Sequence, residues 1–250
     1  MTVIFFALFG SLFVLTQCLQ LVHGWSPLSA GLRALPFAFA MGAVSPLSPI
    51  LAKRLGMRVI IPAGMALMGL GLLDLSTAGV HTAYPALALA VAIMGARHGT
   101  GDGAGQHDHH DHGARAHQAG AGSAINDTIR EVGGALGIAI VGSLSAAVYR
   151  SRLASVLATA HAPSPVAHQA TSSVAAADII GRHVGGLQGS ELVGAAAHSA
   201  FVDAMAMGMR VAASVALISA IGAVFALPRR RKPEAIGLTQ PASAVAVPAA

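Results

Sequence analysis

The chain has 250 residues, of which 54% are hydrophobic and only 10% charged, with a mean hydropathy of +0.67 and a net charge of +5. Soluble domains carry about 25% charged residues, so this composition excludes an ordinary water-soluble domain and asks for a lipid bilayer as solvent. The basic balance does not call for nucleic acid, because the Lys and Arg side chains sit beside apolar runs rather than among aromatic and polar residues. The one cysteine, Cys18, lies within the first apolar run and rules out an internal disulfide.

The first element, Thr2 to Val22, contains no charge, and at about 1.5 Å per residue it can cross roughly 30 Å of hydrocarbon. No basic stretch follows Met1 and no small-x-small site closes the run, so no cleavable signal peptide is expected. The second element lies between Arg33 and Lys53 and carries Pro36, Pro46 and Pro49, which predicts a kinked membrane helix. The third runs from Val59 to Ala78, with Asp74 near its far end. The fourth starts near Thr82 and stops at Arg97 and His98, which is short against the roughly 17 residues a span needs. The fifth covers Val132 to Tyr149 and the sixth Val202 to Leu227, separated by a linker from Arg150 to Ser199. After Pro228 a Pro/Ala-rich tail is expected to be disordered.

The expected organisation is therefore four spans in 1–96, the fourth incomplete, and an aberrant His/Gly/Asp-rich segment in 97–119. The fifth span follows in 120–152, an extracytoplasmic linker in 153–199, the sixth span in 200–228 and the tail in 229–250. The fold class is all-α: a polytopic membrane helix bundle of six spans, one of them disrupted. Lys53, Arg54 and Arg58, then Arg97, Arg115 and Arg130, then Arg229, Arg230, Arg231 and Lys232 all fall on one side of such a bundle. The positive-inside rule makes that side cytoplasmic and puts the C-terminus there too. Arg33, Arg150, Arg152 and Arg182 fall on the other, together with Met1, as expected if preceding helices deliver the chain to that side.

Several stretches carry a resemblance. "SLFVLTQCLQLVHGWSPLSAGLRALPFAFAM" followed by "SPILAKRLGMR" resembles the first helix pair in the C-terminal half of the fourteen-helix drug:proton antiporters of the major facilitator superfamily. "AGSAINDTIREVGGALGIAIVGSLSAAVYRSRL" resembles the penultimate helix of that half, and "AFVDAMAMGMRVAASVALISAIGAVFAL" the last. The match runs in the family's order over most of Phe5 to Leu227 and implies spans nine to fourteen of such a transporter. It implies as partners the lipid bilayer, protons, a small amphipathic drug-like substrate, and a missing N-terminal half or a second copy. By the same resemblance the proton-coupling carboxylates belong to that other half, so this polypeptide alone is expected to be an inactive fragment.

Individual residues fit that frame. In "LAKRLGMR", Gly56 permits a tight turn, and Lys53, Arg54 and Arg58 can meet helix C-termini or anionic headgroups. They form either a latch between moving helices or an orienting loop. Gly133, Gly134 and Gly137 include a small-xxx-small spacing that admits a neighbouring helix, as packing or as a gating hinge. Ser123, Asn126 and Asp127 precede the fifth span in the manner of a helix cap, with Arg130 and Glu131 one turn on. The resemblance makes that polar start part of a cytoplasmic gate. In the sixth span Asp203 and Arg210 project from one face two turns apart, as a mutual pair or as substrate-path groups. Thr16, Gln17 and Gln20 form a polar patch in the first span that suits interhelical hydrogen bonds or cargo contact.

The segment "GTGDGAGQHDHHDHGARAHQAG" interrupts the family pattern. Three readings stand. His107, His109, His110 and His112 could ligate a metal, which makes the alternative to a transporter a non-transporting six-helix membrane protein or a metal sensor using this cytoplasmic segment, although glycine flanks do not fix ligand geometry. The stretch could be a solvated loop. It could also be the product of two compensating frameshifts near Ala96 and Arg115, since His and Asp codons read one base later give Thr, Met or Ile. The remaining histidines of the linker, His161, His168, His183 and His198, read as solvated. No catalytic triad, phosphate loop or dinucleotide motif stands in a supporting context, so neither an enzyme nor a cofactor is expected.

Overall fold

A computed structural model describes residues 1–111 and 116–227, with side-chain environments for all of these except 99–111, 116–119, 121 and 184–190. Helices dominate the described residues, and no strand occurs among them. Helix α1 (Thr2–Gln17) runs on through a π turn at Cys18–Val22. The second rod is cut into α2 (Pro27–Arg33), α3 (Leu35–Val44), a 3-10 turn (Ser45–Leu47) and α4 (Ser48–Leu55). Although Pro62 is accommodated inside the helix Met57–Leu75, proline lacks an N–H and fits most easily in the first turn of a helix. Pro27, Pro36 and Pro49 each occupy that position, and Pro46 sits in the 3-10 turn, so the cuts follow the prolines. The Ser26 hydroxyl caps α2 by accepting the Ser29 N–H at 3.3 Å.

Gly56 alone separates α4 from α5 (Met57–Leu75), at a φ of 81° that favours glycine. Helix α6 (Tyr84–Asp111) follows, then α7 (Ala116–Thr159), the short α8 (Ser164–Ala170) and α9 (Val174–Ala226). By length and composition, five described stretches can cross a membrane: Thr2–Val22, Pro27–Leu55, Met57–Leu75, Gly122–Thr159 and Glu191–Ala226.

Three expectations change. The fourth rod does not stop at Arg97 and His98, because glycine keeps its N–H and a helix can continue through it at a cost of about 1 kcal/mol each. The fifth helix starts at Ala116, so Ser123, Asn126 and Asp127 lie inside it and cap nothing. The linker 153–199 is largely helical, and alanines pack it down: Ala170, Ala177 and Ala197 are fully buried.

Within α9 the chain reverses. Asp178 and His198 approach to 3.4 Å, whereas 20 residues of straight helix would part them by about 30 Å. The helical run therefore comprises a first arm, 174–183, lying beside the second, membrane-length arm Glu191–Ala226.

The rods pack chiefly as α1 on α7, α3 on α6 and α5 on α9, with α7 also against α9. Lipid supplies no hydrophobic force between helices, so shape decides which faces meet. At the α1–α7 contact a Cβ on Gly133 would collide with the Thr2 carbonyl, and one on Gly137 with the Phe6 carbonyl. The two backbones touch only because both positions lack side chains. Val14, Leu72, Met94, Val141, Leu153 and Met209 fill the centre.

Candidate functional site

Three rods and the start of α9 line an open cavity of about 460 Å³. From α1 come Phe13, Gln17 and Leu21, spaced four apart and therefore on one face. Helix α7 contributes Ser143 and Tyr149, the turn before α9 Ser173, and the long arm Phe201. The Tyr149 hydroxyl donates to the Ala170 carbonyl at 3.1 Å, and its ring meets Phe201 edge-on with centroids 6.4 Å apart. That contact fastens the α8 region onto the end of the bundle. Among the described residues no ionisable side chain other than this phenol lines the cavity. Its walls are apolar and aromatic, with a few hydroxyls and one amide to orient a guest.

Of the polar patch on α1, only Gln17 reaches this cavity. Thr16 borders a separate, smaller space of about 120 Å³ between α1, α2 and α6, and its hydroxyl donates to the Leu12 carbonyl of its own helix at 2.7 Å. Gln20 is half-buried. Asp203 and Arg210 share an exposed stripe of α9 with Met207. The expected pairing of the two gives way to another: Asp203 meets Arg152 of α7 at 3.8 Å. Seven residues of helix rise about 10 Å, too far for an easy bridge, and α7 offers its cation across the gap instead. Asp203 and Arg152 line a different cleft, of about 490 Å³. The five substrate-path candidates are thus not brought to one place.

The gate candidates divide between two regions. Lys53 and Arg54 lie on the exposed last turn of α4, and past Gly56 the Arg58 Nε donates to the Val224 carbonyl at 3.1 Å. Val224 is in the last turn of α9, where carbonyls lack a helical N–H and the helix dipole favours a cation. On α7, Asn126 is half-buried while Asp127 and Glu131 are exposed. The Arg130 guanidinium lies 5.1 Å from the centre of the Phe5 ring, a cation–π contact across the α1–α7 seam. Gly134 faces the Phe9 ring, beside the backbone contacts of Gly133 and Gly137.

Of the metal candidates, His107, His109 and His110 lie on α6 among the residues whose side-chain environments are not described, and His112 lies outside the described residues, as does the question of a frameshift across that stretch. Among the described residues no group of three His, Cys, Asp or Glu is placed to hold a metal ion.

Two constellations went unread in the sequence. Arg33 lies 4.1 Å from the centre of the Trp25 ring and 5.7 Å from that of Tyr84, whose hydroxyl donates to the Arg33 carbonyl at 3.2 Å. The lone Trp and a Tyr, both at rod ends where aromatic belts form, were the available signal. The other is His198. It is not solvated as expected but half-buried against Asp178, because the reversal of α9 brings the two together. His161, His168 and His183 are exposed. His23 stacks on Trp25 at 5.0 Å, and burial, followed by the positive charge of His198, lowers its pKa.

The sequence pattern of the Major Facilitator Superfamily matches residues 1–138. The chain belongs to that superfamily. Over 241 residues it is 32% identical to the methyl viologen resistance protein SmvA of Salmonella typhimurium, covering 90% of this chain and 44% of the relative. Over 251 residues it is 31% identical to the tetracenomycin C resistance and export protein of Streptomyces glaucescens, covering 94% and 44%. The multidrug resistance protein Stp of Mycobacterium tuberculosis is 34% identical over 190 residues, or 74% and 34% of the two chains. The chain spans less than half the length of these relatives. Major facilitator proteins are membrane transporters rather than enzymes, and the apolar rods described above are consistent with that membership.

Proposed function

We propose that this bundle is the C-terminal half of a proton-coupled exporter of small amphipathic compounds, equivalent to spans nine to fourteen of a fourteen-helix drug:proton antiporter. The relatives support the compound class, since their names speak of methyl viologen resistance, tetracenomycin C export and multidrug resistance. The observation that carries the reading is the α1–α7 cavity. Phe13 and Phe201 offer flat apolar surface, and Gln17 and Ser143 offer orienting polar atoms, which suits a cargo with an apolar body and few polar groups.

Transporters of this superfamily hold cargo between two helical halves and expose it alternately as the halves rock. A second half would meet this bundle through the poorly buried rod Pro27–Leu55, which offers it a surface. The end bearing Arg58 and Val224 faces the cytoplasm by the charge bias, and so does the C-terminus. Proton coupling rests on carboxylates of the other half. This chain alone then binds cargo without moving it.

Proteoliposomes test each part. With an imposed pH gradient the chain alone is expected to export no dye. Joined to the N-terminal bundle of the Salmonella relative, it exports methyl viologen until a protonophore collapses the gradient. In the isolated chain, replacing Phe13 and Gln17 together by alanine weakens dye binding about tenfold, equivalent to roughly 1.4 kcal/mol. Export that survives the protonophore would overturn the coupling, and dye affinity unchanged in the double variant would overturn the site.

A further inference from the structure

The long arm of α9 carries one exposed stripe. Met207, Arg210, Ser214, Ile218, Ile221 and Phe225 recur every three or four residues and so share a face, while Met205, Met209, Ala212, Ala213 and Ala216 among them are buried. An apolar stripe needs only lipid, but this one holds a cation. Arg210 lies about 24 Å along the helix from Ala226 and about 28 Å from Glu191, near the middle of the membrane-length arm. Among the described residues no carboxylate, carbonyl or aromatic ring meets its guanidinium. Asp203, two turns away on the same face, is held by Arg152 at 3.8 Å, and the Ser214 hydroxyl is turned to the Arg210 carbonyl at 2.8 Å.

We propose that this stripe docks a membrane helix of another polypeptide, one that bears a single carboxylate at the depth of Arg210. A charge near mid-bilayer is costly unless it faces water or a partner, and from there neither headgroup layer is within easy snorkelling reach. A guanidinium stays protonated and only donates, so its partner must accept. The carbonyls of a neighbouring membrane helix are already engaged in their own helix. A carboxylate remains, and it meets the planar fork of an arginine with two parallel bonds. A second copy does not fit. Two copies inserted in the same sense and joined along this stripe by a two-fold axis set Arg210 against Arg210, and Asp203 already has its cation. The rest of the face suits a docked helix: Ser214 is small and admits close approach beside Arg210, and Ile218, Ile221 and Phe225 supply apolar surface at 69%, 61% and 79% exposure. The occupant is an apolar span with one central Asp or Glu.

Association is the readout, so the test stands apart from cargo binding and transport. The chain receives a fluorescent donor at the exposed position Thr159→Cys in a Cys18→Ser background. Phosphatidylcholine vesicles combine it with a polyleucine helix of about 20 residues that carries an acceptor dye and one central glutamate. Energy transfer should show this peptide associating about three- to tenfold more tightly than its all-leucine version, the range of polar pairs between membrane helices. Arg210→Leu removes the preference, and Arg210→Lys keeps part of it. Moving the glutamate to either end of the peptide, which leaves the protein untouched, removes it too. Equal association of the glutamate and leucine peptides overturns the docking site, as does a preference that survives Arg210→Leu or the displaced glutamate. Energy transfer between copies of the chain that Arg210→Leu abolishes would assign the stripe to a second copy and overturn the proposal as well.

Discussion

The first rod, Thr2–Val22, has 56% of its most apolar window buried, while the second, Pro27–Leu55, has 6%, although both are apolar enough to cross a bilayer. Hydropathy suffices to send both into lipid. What separates them is surface shape. Unbroken α1 meets α7 along Gly10, Gly133 and Gly137, where backbone rests on backbone. Among the described residues, the proline-cut rod touches α6 at one comparably close place, where a Cβ on Gly95 would collide with the Phe37 carbonyl. It turns Leu28, Leu32, Phe39 and Ile50 outward. Burial within this bundle follows the small residues rather than the greasy ones.

The largest expected effect comes from Gly137→Leu. The new side chain must occupy the space of the Phe6 carbonyl, and α1 cannot yield locally because it is a continuous helix from Thr2 to Gln17. Destabilisation of about 3 kcal/mol or more is expected, seen as a lowered thermal midpoint in detergent or loss of the monodisperse peak. Gly95→Leu makes the same kind of collision with α3. That helix has only 10 residues and is flanked by turns, so it can shift, and about 1–3 kcal/mol is expected. If the two variants cost the same, continuity of the rod is not what gives the α1–α7 seam its rigidity.

Much of this was legible beforehand for physical reasons. The span of α1, the proline cuts and the tight turn at Gly56 follow from local chemistry that few tertiary contacts override. The glycine spacing of α7 announced a close neighbour, but nothing in it said that the neighbour was α1. Misreadings arose where geometry is non-local. Asp203 pairs across helices with Arg152, and His198 finds Asp178 only because α9 reverses. The cavity behind Gln17 was likewise hidden, since Phe13 and Gln17 share a helix with each other but not with Tyr149 and Phe201. The alanine-rich linker was read by composition, which does not distinguish a solvated chain from a helix that buries methyl groups.

A smaller effect tests whether polar atoms help hold the buried seams. The Ser145 hydroxyl of α7 donates to the Ala204 carbonyl of α9 at 3.2 Å, and the serine is buried. Ser145→Ala removes the donor and leaves a carbonyl that still has its helical partner. A loss of about 0.6 kcal/mol is expected, the average for such bonds between membrane helices. Chemical denaturation in mixed micelles resolves it. A loss several times larger would show that this bond, and not glycine contact, sets the α7–α9 distance.

The smallest effect on stability belongs to the exposed rod. Phe39 is 73% exposed, so Phe39→Ala should change the stability of the isolated chain by less than about 0.5 kcal/mol. The same substitution becomes informative once the second half is present. If the open face of the Pro27–Leu55 rod meets that half, truncating Phe39 lowers assembly of the two, measured by co-purification, while the thermal midpoint of the isolated chain stays where it was. A shifted midpoint would instead place Phe39 in the bundle's own packing. An unchanged midpoint with unchanged assembly would leave the ring facing lipid, where one apolar side chain replaces another without consequence.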